Sequence, residues 1–125
     1  YVNHLGYLPH DEAIIEQRSS QVLLLIEIDS EETKCIIPGK LFEYMVSERP
    51  IIAIGPEHAD FAQIIKETNT GTFFKYDELE ALKNQILTCF EQFQQNNLKV
   101  YPVGLQQYSR KSLTEKLAKL LNSKF

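Results

Sequence analysis

Residues Gln21–Gly55, QVLLLIEIDSEETKCIIPGKLFEYMVSERPIIAIG, read as strand, loop, helix and strand. Gln21–Ile28 is a nearly unbroken apolar run, and Pro50–Ile54 (PIIAI) is another, stopped by Gly55-Pro56. Both are strand-sized, and a continuous apolar run marks a strand covered on both faces. Between them, Gly39–Ser47 carries Leu41, Phe42, Met45 and Val46 at helical spacing. This order predicts parallel strands joined by a right-handed crossover.

The same alternation continues outward. Upstream, Val2–Tyr7 reads as a short strand and Asp11–Arg18 as a helix, with Asp11 and Glu12 at its positive end. Downstream, Asp60–Glu67 places Phe61, Ile64 and Ile65 on one helical side, and Asn69 and Gly71 supply a stop. Thr72–Tyr76 (TFFKY) has strand composition. Asp77 is positioned to cap a long helix with Leu79, Leu82, Ile86, Phe90 and Phe93 on one face. Tyr108, Leu113, Leu117, Leu120 and Leu121 mark a final amphipathic helix. The prediction is one α/β domain over residues 1–125, Rossmann-like, with a doubly wound parallel sheet. Four strands are few for that architecture. The chain also opens on Tyr1-Val2-Asn3, without Met and already in strand-like sequence. Both features lead us to expect a sheet truncated at its N-terminal edge, within a longer protein.

Composition narrows the function. The net charge is -4, with no long basic run, which disfavours nucleic acid as the main partner. Cys35 and Cys89 stand far apart without CxxC spacing, so free thiols and a reducing compartment are expected, and no metal site. No segment approaches the ~20 apolar residues of a membrane span. The expected setting is the cytoplasm.

In an open α/β sheet, ligands bind beyond the carboxyl ends of the strands. On this reading, three loops leave strands there: Leu8–His10, Asp29–Pro38 and Gly55–Asp60. The middle one exceeds the ~2–6 residues usual for such a connection. It enters its helix at Pro38-Gly39-Lys40-Leu41. A helix start offers unpaired N–H groups to an anion, and Gly39 and Lys40 add close access and positive charge. Glu43 follows one turn in, on the same face as Gly39, and its two oxygens suit vicinal ribose hydroxyls. The plainer reading of Glu43 is a surface carboxylate paired with Lys40.

The stretch Ile37–Gly55, IPGKLFEYMVSERPIIAIG, closely resembles the nucleotide-binding segment of family-4 (group 1) glycosyltransferases of the GT-B fold. Gly6–Ala13 (GYLPHDEA), Gln21–Leu25 and Thr68–Gly71 resemble flanking segments of the same family, so the likeness extends over nearly the whole chain. It implies the C-terminal, donor-binding half of a GT-B enzyme. This half binds a nucleotide-diphosphate sugar, for transfer to a sugar or lipid-linked acceptor such as a growing polysaccharide. By that resemblance, Glu43 holds the ribose, Gly39, Lys40 and Leu41 meet the diphosphate through backbone N–H groups, and Pro9 and His10 lie near the base. No cofactor or metal is implied beyond the donor itself. The N-terminal GT-B domain is the implied partner, and any membrane association runs through it.

Two departures stand out. The family commonly has a sugar-contacting Glu eight residues before the ribose-binding one, and here that position is Cys35. Glu31, Glu32 or Thr33 then stand as substitutes for that Glu, and Cys35, Glu32 and His58 as the candidate donor-sugar contacts. The family's diphosphate-binding Arg and Lys fall upstream of Tyr1, so the 125 residues alone are expected not to turn over. Competing readings are a nucleotide-sugar epimerase of GT-B architecture and a non-catalytic nucleotide-binding or flavodoxin-like module. Leu8-Pro9-His10 is no flavodoxin phosphate loop, and Asp29 alone is too little for a receiver domain. Structural readings also stand beside several site residues: His4 within a strand, Glu31-Glu32 as a solvated loop tip, and Phe61, Phe90, Phe93 and Tyr108 as core.

Overall fold

A computed structural model of the chain describes residues 1–124. It is an α/β fold with a three-stranded parallel sheet. The elements are α1 (His10–Ser19), β1 (Leu23–Ile26), α2 (Gly39–Met45), β2 (Ile51–Gly55), α3 (Asp60–Thr68), β3 (Gly71–Lys75), α4 (Leu79–Gln94) and α5 (Arg110–Lys124). Short 3-10 turns at Glu31–Thr33 and Leu105–Tyr108 complete the order. The strands lie β1-β2-β3, with Leu23 opposite Ile51 and Ile51 opposite Gly71.

Two crossovers of one hand put α2 and α3 on the same face. There Leu25, Ile51 and Ala53 meet Leu41, Met45, Phe61 and Ile65. The alternate residues Ile52 and Phe74 point the other way, onto Cys89 of α4. Helices therefore cover both faces. The chain then returns to the first face. Val103 N donates to Thr68 O, Asn69 Nδ2 donates to Tyr101 O, and Leu105 and Tyr108 pack against that core.

Local chemistry sets the boundaries. Pro9, at φ -54°, leads into α1, and Asp11 and Glu12 occupy the first turn. Asn69 ends α3 in the left-handed region, at φ 52°. Gly71 sits where a Cβ would lie 2.0 Å from the carbonyl oxygen of Ile51, so no larger residue fits that part of the β2–β3 pair.

Several sequence expectations are corrected. Val2–Tyr7 forms no strand, and His4 with it lies in exposed, unpaired chain, because an isolated strand has no neighbour to take its backbone hydrogen bonds. The described residues hold three strands, not four. β1 is covered on one face only: Leu23 and Leu25 are buried, while Leu24 and Ile26 are 54% and 56% exposed. Asp77 does not cap α4. The helix starts at Leu79, and the Glu78 carboxylate turns back to accept from Lys75 N at 2.7 Å. Phe90, Phe93 and Val46 are half exposed rather than core, whereas Phe61 is fully buried. Tyr108 belongs to the turn before α5, its ring centred 6.0 Å from that of Phe42 and tilted 43° to it.

Candidate functional site

α2 follows β1 through the Glu27–Pro38 connection, so its start faces the carboxyl edge of the sheet. Thr33 anchors this connection by donating through Oγ1 to Ile28 O and Ser30 O. Asp60 N, at the start of α3, donates to Lys34 O at 2.8 Å and ties the loop to the neighbouring helix. Pro38 precedes α2 and supplies no side-chain cap. The N–H groups of Gly39 and Lys40 have no acceptor among the described residues, while Leu41 N donates to Pro38 O at 3.0 Å. Leu41 is fully buried, so its side chain anchors the helix to the sheet. A Cβ on Gly39 would meet nothing within 4 Å, which means the helix start opens to solvent.

Glu43 is half-buried, one turn further along. It forms no ion pair with Lys40 among the described residues. Its Oε2 instead accepts from Gln17 Nε2 of α1 at 3.3 Å, across 26 residues of sequence. The phenol of Tyr44, beside it, is held above its ordinary pKa by burial and then by the Glu43 carboxylate.

α1 ends at the amino edge of the sheet, where Arg49 Nε donates to Arg18 O at 2.8 Å. It therefore descends alongside α2, and Pro9 and His10 begin it on the carboxyl side. His10 lies ~10 Å along the helix axis from Gln17. Of the residues expected from sequence, Pro9, His10, Gly39, Lys40 and Glu43 share this α1–α2 flank.

The remaining candidates disperse. Cys35 is an exposed free thiol in the loop. Glu32 is exposed, with its N–H donating to Ser30 Oγ. Its neighbour Glu31 pairs with Lys34 at 2.7 Å. His58, at φ 63°, borders a cleft of about 990 Å³ along α3 and β3. α2 packs on β1 and α3 on β3, so His58 lies toward the opposite flank of that face.

A second crevice, about 490 Å³, gathers the ends of all three strands, including Asp29, Glu57, Lys75, Tyr76 and Asp77. Sequence reading missed its β3 contribution, because the tight turn after β3 is no longer than an ordinary connection. Lys75 pairs with Glu57 at 3.6 Å and Asp77 at 3.8 Å, and these carboxylates, Asp77 foremost, raise its pKa. Tyr76 donates its hydroxyl to Glu27 O at 2.8 Å and so bridges the ends of β3 and β1. Glu31 and its partner Lys34 also line it, so four carboxylates face two paired lysines and the crevice is net acidic. The α2 start instead presents the unpaired N–H groups of Gly39 and Lys40 beside the Lys40 ammonium, a locally positive end.

Among the described residues, no group of three His, Cys, Asp or Glu side chains is arranged to hold a metal ion. No helix there is long and apolar enough to cross a membrane. Comparison with protein-family models, curated proteins and solved structures gives no match for this chain.

Proposed function

We propose that the chain is the donor-nucleotide-binding part of a glycosyltransferase, of GT-B type. The observation that carries this reading is Glu43, a half-buried carboxylate one turn below the open start of α2 and oriented by Gln17. A phosphate at Gly39 and Lys40 and a ribose at Glu43 match the order of groups in a nucleotide. The likeness of Ile37–Gly55 to the family-4 segment supports the same assignment. Pro9 and His10, on the same flank, border the position of the base. Transfer needs the departing diphosphate stabilised, and oriented N–H donors with a lysine do that electrostatically. A nucleotide sugar is the substrate, and the acceptor and remaining catalytic groups belong to an N-terminal domain of a longer protein.

Calorimetric titration with UDP, GDP and ADP tests this. One nucleotide should bind, and Glu43→Ala should weaken it by about 1–3 kcal/mol, the scale of a lost hydrogen bond to a charged group. Gly39→Ala should leave the fold intact, because its Cβ enters open space, yet weaken binding by crowding the diphosphate. Nucleotide binding indifferent to both substitutions overturns the assignment.

A further inference from the structure

α5 contributes nothing to the core. It runs from Arg110 to Lys124 and buries no residue. Its start is secured locally, with Ser112 N donating to Ser109 Oγ and Leu113 N to Ser109 O. Four leucines, Leu113, Leu117, Leu120 and Leu121, are between 44% and 56% exposed. At the pitch of an α-helix they fall within roughly 100° of arc. Charge is spread unevenly around that arc. α5 carries five cations, Arg110, Lys111, Lys116, Lys119 and Lys124, against one acid, Glu115. None of the five forms an ion pair among the described residues. Arg110 and Lys124 stand in line with the leucines at the two ends of the helix, Lys116 borders the arc on one side, and Glu115 lies opposite it. Outside α5 the chain has twice as many acids as bases.

We propose that α5 is an interfacial helix that lays its leucine face into the surface of an anionic phospholipid bilayer. Length fixes the mode. Its 15 residues extend ~22 Å, less than the ~30 Å hydrocarbon core, so the helix lies along the surface and does not cross it. Charge fixes the occupant. An anionic surface attracts the cations of α5 and repels the acidic remainder, so the chain approaches it through this helix. In that orientation the leucines enter the acyl boundary and Glu115 points to water. Arg110, Lys116 and Lys124 reach back along their aliphatic stems to the lipid phosphates. A closed protein groove fits less well, because its apolar floor would bury Arg110 and Lys124 together with the leucines. The family likeness assigns membrane contact to the N-terminal domain, so α5 adds a contact within this chain. Such a contact is independent of whether α2 holds a nucleotide.

Co-sedimentation of the whole chain with vesicles tests this. The chain should pellet with phosphatidylcholine vesicles containing one-third phosphatidylglycerol, and about tenfold more weakly or less with phosphatidylcholine alone. Lys116→Gln and Lys124→Gln should each weaken binding roughly fivefold. Leu117→Ser/Leu121→Ser should weaken it by about tenfold or more. That double variant should keep the parent's urea midpoint, because α5 buries no residue. The chain has no Trp, so Leu120→Trp introduces a single reporter whose emission should shift to the blue on anionic vesicles. Four results would overturn the proposal: a parent chain that does not sediment, equal binding to neutral vesicles, binding indifferent to the leucine substitutions, or an emission that stays unshifted. A lipid-free dimer that Leu117→Ser/Leu121→Ser dissociates, or a lowered urea midpoint in that variant, would overturn it as well. Either would assign the leucine face to protein, a second copy or the chain's own core.

Discussion

Gly71 and Gly39 show how differently the same residue type can be constrained. A methyl group on Gly71 would collide with the backbone of Ile51, which cannot move without breaking the β2–β3 pairing. Gly71→Ala should therefore cost at least about 2 kcal/mol, within the range of overpacked sites, measured as a shift in the urea unfolding midpoint. Gly39→Ala in the same assay should be nearly neutral. Sequence pattern marked Gly71 as a helix stop, whereas its constraint comes from the neighbouring strand. Glu43 is the reverse case. Its position one turn into α2 was legible from spacing, but its partner was not. Lys40 was the local expectation, and Gln17, on another helix, is the residue that orients it. Spacing along a chain reports neighbours on one helix, while a contact across 26 residues depends on how two helices pack.

At the level of the element, β1 is the instructive one. Its unbroken apolar sequence predicts burial on both faces, yet only Leu23 and Leu25 are covered. Leu25→Ala should cost about 2–5 kcal/mol, as for a truncated core leucine, and Leu24→Ala markedly less. The comparison, made by urea titration at low protein concentration, separates the covered face from the open one. Equal costs would mean that something covers Leu24 in solution. α4 carries the same imbalance, with an apolar arc wider than the sheet beneath it. Periodicity identified the helix, but of its expected face only Leu82 packs on the sheet, beside Cys89, while Leu79, Ile86, Phe90 and Phe93 stay largely exposed; the pattern says only that a face is apolar. What lies against that face is set by the arrangement of other elements.

For the molecule as a whole, three groups bind their protons more tightly in the folded state. Burial, followed by the nearby carboxylates Glu43 and Glu67, raises the pKa of Tyr44 and Tyr108, and Asp77 and Glu57 raise that of Lys75. The sign of the linkage is common to all three. Their contribution is fully present below the ordinary tyrosine value of 10.0 and is lost as pH rises through the higher folded values. Stability should stay level through mildly alkaline pH and fall once the ordinary tyrosine value is passed. Tyr44→Phe should make that fall shallower in urea titrations across the range. The alternation of apolar runs with helical spacing determined the α/β class, the parallel sheet and the position of α2 at its carboxyl edge. These follow from backbone geometry and burial, which act locally and leave a periodic trace in the chain. The tertiary structure alone decided that Val2–Tyr7 pairs with nothing, that Glu43 answers to Gln17, that His58 lies apart from the α2 start, and that one face of β1 stands open. Each of these depends on which surfaces meet in space, and residues distant in sequence bring those surfaces together.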